Sequence, residues 1–84
     1  MFVREMYEDA QFLLNMVKRI SKRRKELHLT QEQLAEKAEI TVVYLSELER
    51  GVKLPSLTVF VSIAETLHVS TDSLLRDDLE TGKE

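Results

Sequence analysis

The sequence of 84 residues contains no cysteine and no tryptophan, and only two glycines and one proline. Without cysteine, disulfides, thiolate metal sites and cysteine nucleophiles are excluded. The scarcity of glycine and proline removes the turn residues that an all-β fold needs, so we predict an all-α protein. The histidines, His28 and His68, stand far apart in the sequence. We therefore expect no metal site and no cofactor.

Long apolar segments are also absent. The longest nearly uncharged stretch, residues 54–64, is far shorter than the ~20 apolar residues that span a bilayer. The first ten residues include acidic side chains and lack the apolar region of a secretory signal. With 43% apolar and 32% charged residues, the composition is that of a globular protein. We expect one soluble domain without membrane contact.

Apolar residues recur at steps of three and four, which predicts helices. The first stripe comprises Val3, Met6, Ala10, Leu13, Val17, Ile20 and Leu27, and it indicates one long helix with at most one break. Capping residues then predict the starts of four shorter helices, and these residues are Thr30, Thr41, Ser56 and Ser70. The predicted buried residues are Leu34, Ala35 and Ala38 in the second helix, Leu45 and Leu48 in the third, and Leu57, Phe60, Val61, Ala64 and Leu67 in the fourth.

The second and third helices are short and are separated by a tight turn. Thr30 and Gln33 have the spacing of a capping box, and the third helix, residues 41–50, stops at Gly51. A helix, a tight turn and a second short helix form the architecture that lays one helix in the major groove of DNA. The small residue Ala35 fits the position at which two such helices cross closely.

The segment TQEQLAEKAEITVVYLSELERGVKLPS, followed by LTVFVSIAETLHVSTDSLL, resembles the phage-repressor-like Xre family (Cro/C1-type) of helix-turn-helix domains. The resemblance implies a five-helix bundle of the lambda-repressor-like type that binds operator DNA as a dimer. We accordingly divide the chain into an N-terminal helical extension (residues 1–14), the DNA-binding domain (residues 15–75) and a polar, disordered tail (residues 76–84).

By the same resemblance, Gln31 contacts a DNA phosphate, and Arg24 and Glu49 form a structural ion pair between the first helix and the third. Lys53, in the loop after the recognition helix, is a further candidate for phosphate contact. Because Leu45 must point inward, the opposite side of the third helix faces the groove. The candidate groove-facing residues are Thr41, Val42, Val43, Tyr44, Ser46, Glu47 and Arg50.

Several of these residues have two interpretations. Val42 and Val43 can pack on thymine methyl groups, or they can form an apolar patch for protein contacts. Glu47 can accept a hydrogen bond from a cytosine amino group, or it can repel phosphate. Tyr44 can contact a phosphate or cover the edge of the core, and Gln31 can have a purely structural role.

The chain departs from the family at three positions that often carry glycine after a helix. These positions hold His28, Glu39 and His68. We expect left-handed backbone or altered caps there, at a cost of up to ~1 kcal/mol each. The two histidines are therefore interpreted as helix-end residues and not as ligands or catalytic bases.

The charges are unevenly distributed along the chain. Residues 1–17 carry one basic and three acidic residues (net −2), residues 18–54 carry nine and six (net +3), and residues 55–84 carry two and six (net −4), for a total of −3. The run KRISKRRK contributes six of the basic residues beside the helix-turn-helix. A positively charged middle favours a nucleic-acid partner, and a solvated helix face is the simpler alternative.

The sequence therefore predicts a sequence-specific regulator of transcription, a repressor that binds a palindromic operator on double-stranded DNA as a homodimer. Apolar residues in the extension suggest that it forms the dimer, although the extension could instead pack on its own domain. The alternative is a protein-interaction module, such as an antitoxin-like protein, with weak or no operator binding. No catalytic constellation is visible, since Asp77 and Asp78 are merely adjacent acids. The resemblance implies a cytoplasmic, nucleoid-associated protein of a bacterium or phage.

Overall fold

The computed structural model describes the backbone of residues 2–76 and the side chains of residues 10–76. Its helices are α1 (Phe2–Glu26), α2 (Gln31–Ala38), α3 (Val42–Glu49), α4 (Leu57–Thr66) and α5 (Thr71–Leu75). No strand occurs in this part of the chain, and the predicted all-α, five-helix fold is confirmed. α1 is continuous over 25 residues. Residues 77–84 of the predicted tail, including Asp77 and Asp78, lie outside the described residues.

Each of the four shorter helices begins at its predicted capping residue. The hydroxyl of Thr30 accepts the amide of Gln33 at 3.0 Å, and Gln33 Oε1 accepts the amide of Thr30 at 2.9 Å, which completes the capping box. Thr41, Ser56 and Ser70 each accept the amide three residues later. These bonds satisfy amides that have no partner within the helix, and each cap contributes about 1 kcal/mol.

Four of the helices are followed by a residue with left-handed backbone. The angle φ is 59° at His28, 63° at Glu39, 78° at Gly51 and 59° at His68. At each place the amide of the next residue bonds to the carbonyl five residues earlier, over 2.9 to 3.1 Å. This pattern is the Schellman motif, and the expected left-handed conformation of the three non-glycine residues is confirmed.

The residues that follow the three strained positions explain why glycine is dispensable there. Leu29, Ile40 and Val69 come directly after His28, Glu39 and His68, and all three pack against the core. Such an apolar contact commonly accompanies the Schellman motif. It holds the turn in place, while the preceding side chain, that of His28, Glu39 or His68, stays exposed to water.

All five helices contribute to one core. The buried side chains are Met16, Val17, Ile20, Leu34, Ala35, Ala38, Leu45, Leu48, Phe60, Ile63, Ala64, Leu67 and Leu74. The buried residues predicted for α2 and α3 are thus confirmed. In the apolar stripe of α1, Val17 and Ile20 are buried, whereas Ala10 is exposed. Among the described side chains of α1, those from residue 10 on, Met16 is the first that is buried, and Leu13 before it packs partly against the core.

The predicted buried face of α4 was wrong at two positions. Leu57 is 77% exposed and Val61 is 37% exposed, whereas Ile63, which the prediction omitted, is fully buried. The buried positions in and after α4 are Phe60, Ile63, Ala64 and Leu67. These occupy positions i, i+3, i+4 and i+7 on one side of the helix, and Val61 lies about 100° around the axis from Phe60. Leu57 belongs to the first turn, at the edge of the bundle.

Two arginines brace α1 against the ends of the last two helices. Arg19 Nη1 donates to the carbonyl of Leu74 at 3.1 Å, and Arg23 Nε donates to the carbonyl of Leu67 at 3.0 Å. Carbonyls at helix C-termini lack partners within the helix and carry partial negative charge, which a guanidinium complements. α1 is thereby fixed relative to α4 and α5.

Replacing Glu39 by glycine should stabilise the fold. Glycine adopts a φ of 63° without the steric cost that a β-carbon brings, and the Glu39 side chain is exposed, so no packing is lost. We expect Glu39→Gly to raise the free energy of unfolding by about 0.5–1 kcal/mol, measured by urea denaturation. Glu39→Ala keeps the β-carbon and serves as the control. Equal stabilities of the two variants would show that the turn holds no such strain.

Candidate nucleic-acid interface

α2 and α3 form a helix-turn-helix whose two helices approach closely. Ala35 and Ala38 of α2 are buried, and their small side chains leave room for the neighbouring helices. Ser62 Oγ of α4 donates to the carbonyl of Ala38 at 3.0 Å, which anchors the end of α2. Leu45 and Leu48 point into the core, so the opposite side of α3 faces outward.

The carboxylate of Glu49, at the end of α3, is held from two sides. Arg24 of α1 donates from Nε to Oε2 at 2.8 Å and from Nη2 to Oε1 at 3.0 Å, so the expected ion pair is present in two-point geometry. Gln31 Nε2 donates to Oε1 at 3.0 Å. Arg24 Nη1 also reaches the carbonyl of Leu29 at 2.8 Å. With side-chain exposures of 11% and 6%, Arg24 and Glu49 are largely shielded from water.

The position of Gln31 combines both interpretations of this residue. Its side-chain amide is engaged with Glu49, which is a structural role. It is also the first residue of α2, where the backbone amides of the first turn have no partner within the helix and favour an anion. Phosphate contact by Gln31 therefore stays a prediction, with the side chain already oriented by Glu49.

The outward face of α3 is part apolar and part polar. Val43 is 64% exposed and Val42 is 37% exposed. Thr41 is exposed as well, but its hydroxyl caps α3 by accepting the amide of Tyr44 at 3.1 Å. Ser46, Glu47 and Arg50 complete the face, and Arg50 Nε lies 3.5 Å from Ser46 Oγ. α3 thus presents two valines beside hydroxyl, carboxylate and guanidinium groups.

Tyr44 and Lys53 connect α3 to the loop that follows it. Tyr44 packs against the core, and its hydroxyl accepts the amide of Ser56 at 3.4 Å, which favours the role of covering the core edge. Lys53 Nζ lies 3.4 Å from Glu47 Oε1 and 6.0 Å from the centre of the Tyr44 ring. The ion pair offsets the negative charge of Glu47. Sequence reasoning missed these contacts because they depend on the path of the loop.

No group of three His, Asp or Glu side chains within the described residues could hold a metal ion. None of the helices in that part of the chain is long and apolar enough to cross a membrane.

Comparison with protein families gives a match to the model described as "Helix-turn-helix" over residues 20–74. An uncharacterized HTH-type transcriptional regulator of Mycobacterium tuberculosis is 40% identical over 55 residues, which are 66% of this chain and 39% of that protein. The immunity repressor protein of Bacillus phage phi105 is 38% identical over 60 residues, 71% of this chain and 42% of the repressor. The chain thus spans about two fifths of the length of these relatives.

Two solved structures resemble the fold. The DNA-binding domain of the P22 c2 repressor superposes with a TM-score of 0.73 at 31% identity, covering 81% of this chain and 90% of that domain. A structure of the SinR protein/SinI protein complex gives a TM-score of 0.71 at 34% identity, covering 82% of this chain and 68% of the matched one.

Removing Arg24 should destabilise the protein strongly. Arg24→Met leaves the carboxylate of Glu49, 6% exposed, with Gln31 as its remaining described partner, and we expect a loss of about 2–4 kcal/mol in the free energy of unfolding. The double variant Arg24→Met/Glu49→Leu removes the stranded charge and should recover most of this loss. Urea unfolding of both variants and the parent chain measures the loss and its recovery. Equal stability of the single and double variants would contradict the idea.

Proposed function

Since the chain belongs to the helix-turn-helix family, we propose that it is a DNA-binding regulator of transcription, a repressor that binds a palindromic operator as a dimer. The observation that carries the proposal is the outward face of α3, presented on a helix that the Arg24–Glu49–Gln31 network holds against α1 and α2. A recognition helix must keep its orientation when it enters the major groove, and buried hydrogen bonds at its end serve that purpose.

Base recognition is assigned to the exposed side of α3. Val42 and Val43 are exposed enough to pack on thymine methyl groups, and Glu47 can accept from a cytosine amino group. The pairing of Glu47 with Lys53 lowers the repulsion that an isolated carboxylate would exert on phosphates. Arg50, at the end of α3, is exposed and can reach a base or a phosphate.

Backbone contacts are assigned to both ends of the motif. The first amides of α2, with Gln31, offer hydrogen-bond donors to one phosphate. Lys53 is 57% exposed and carries a charge that can be shared between Glu47 and a phosphate. The net charge of +3 over residues 18–54 supports this assignment.

Dimer formation is assigned to the N-terminal extension. α1 continues to Phe2, and among its described side chains, from residue 10 on, the first buried one is Met16. In the described part of this segment, Phe12 and Leu14 are 44% and 43% exposed. A helical extension of this length is marginal in water by itself, so packing against a second copy would stabilise it. A symmetric dimer matches half-sites about one helical turn, or ~34 Å, apart.

A protein-interaction module remains the second candidate function. A groove lies between α1, α4 and α5, and Thr71 is the one polar residue among its described lining residues. The apolar lining residues are Leu13, Met16, Leu54, Pro55, Leu57, Phe60, Val61 and Leu75. One of the structures that share this fold is a chain of the SinR protein/SinI protein complex. A regulator of this kind could be controlled by a protein partner, as in an antitoxin-like role.

Selection from a pool of randomised duplexes tests DNA recognition directly. We expect an enriched inverted repeat, and an affinity whose logarithm falls steeply and linearly with the logarithm of the salt concentration. Val43→Ala should then relax the preference at one thymine-containing position by ~1 kcal/mol, since it removes methyl contacts. Lys53→Ala serves as its matched control and should weaken all sequences to a similar extent.

No enrichment at low salt would favour the interaction module over the operator-binding repressor. If Val43→Ala leaves the sequence preference unchanged while the parent chain selects a site, the assigned reading face on α3 is wrong.

Removal of residues 1–12 tests the dimer. Because Leu13 and the buried residues from Met16 onward are retained, the shortened chain should remain helical and unfold cooperatively. Its mass in sedimentation equilibrium should fall from that of a dimer to that of a monomer, as the extension supplies the contact between copies. An unchanged dimer mass for the shortened chain would refute this role of the extension.

A further inference from the structure

The basic run of α1 separates into two faces with different roles. Arg19 and Arg23 donate to carbonyls at the ends of α5 and α4, and Arg24 binds Glu49 and the carbonyl of Leu29. Each guanidinium therefore contacts another element of the same molecule. A planar group with several donors suits such bonds better than an ammonium does. The arginines of the run are accounted for by the fold.

The lysines of the run lie on another side of α1. Lys18, Lys22 and Lys25 follow at i, i+4 and i+7, all three are exposed, and they line one shallow cleft. The other lining residues are Ser21, Glu26 and Glu49. Within the described residues, no carboxylate forms a salt bridge with any of the three lysines.

The two carboxylates of the cleft do not cancel the lysine charges. Glu26 Oε1 lies 3.4 Å from Arg23 Nη1, and Glu49 is bonded to Arg24. Each carboxylate is therefore already balanced by an arginine. The cleft keeps a surplus of three positive charges. We call the surface formed by Lys18, Lys22 and Lys25 the lysine face.

The lysine face adjoins the DNA-facing side of the motif. Glu49 lines the cleft and also accepts the side-chain amide of Gln31, the first residue of α2. A phosphate at the first amides of α2 would thus lie beside the lysines. From Lys18 to Lys25 the helix rises about 10 Å. Lysine side chains spread over this length are far enough apart to contact separate phosphates of one strand.

We propose that Lys18, Lys22 and Lys25 bind the phosphate backbone of the operator duplex beside the half-site, and so extend the footprint beyond the recognition helix. This inference rests on the proposed DNA-binding function. The contact is independent of sequence, because phosphates carry no base information. It gives the protein a localised electrostatic contact despite a net charge of −3.

The triple variant Lys18→Gln/Lys22→Gln/Lys25→Gln tests the proposal on the full-length protein. Neutralising three phosphate contacts should reduce the slope of log affinity against log salt by about two to three. Binding at 100 mM salt should weaken at least about tenfold, equally for the selected operator and for an unrelated duplex. Because the lysines are exposed, the thermal unfolding of the variant should match that of the parent chain.

Two controls separate position from charge. Replacing the same lysines by arginine keeps the charges and should keep the slope. Lys37→Gln removes one charge in the last turn of α2, at the other end of the helix from Gln31. It should change the slope less than Lys22→Gln does. If the parent chain binds DNA but the triple glutamine variant keeps the full slope, phosphate binding by the lysine face is refuted and the proposed function is not. If the parent chain binds no duplex at low salt, this inference and the proposed function both fail.

Discussion

The bond between Arg24 and Glu49 determines how the helices of the motif are arranged. One carboxylate at the end of α3 accepts from α1 through Arg24 and from α2 through Gln31, and Arg24 also binds the carbonyl of Leu29 before α2. A shielded ion pair of this kind adds little net stability compared with an apolar replacement. Its consequence is geometric, because either partner, if it moved alone, would leave a charge without compensation. The outward face of α3 is therefore presented in one orientation.

The short connections between helices restrict the same arrangement by a different means. Their strained residues, such as Glu39, stay in the left-handed region because the next side chain is held in the core. Ile40 follows the end of α2 and packs against the core, so the turn cannot relax without exposing apolar surface. The burial of the next side chain thus offsets the backbone strain at the non-glycine positions. For this reason a chain with two glycines can form four tight turns after its helices.

Local features of the fold could be predicted because they depend on neighbouring residues. The capping box at Thr30 and the left-handed turn at Glu39 each follow from a few adjacent side chains. The inward face of α4 was predicted only in part, since Leu57 and Ile63 are both strongly apolar and the positions of the neighbouring α2 and α5 decide which is buried. Within the site, the outward residues of α3 followed from its inward leucines. The bond of Gln31 to Glu49 joins residues 18 positions apart and leaves no local signal.

Total charge is a poor guide to the partner of this protein because electrostatic attraction is local. At physiological ionic strength, exposed charges more than ~8 Å apart are largely screened from each other. Near the helix-turn-helix, Glu26, Glu47 and Glu49 each lie within 4 Å of a basic group. Arginine charges are used for bonds within the bundle, whereas the lysines of α1 remain available at the surface. Residues 18–54, which contain the motif, therefore keep a net charge of +3 even with the exposed Glu32, Glu36 and Glu39, although acidic residues outnumber basic ones in the chain as a whole.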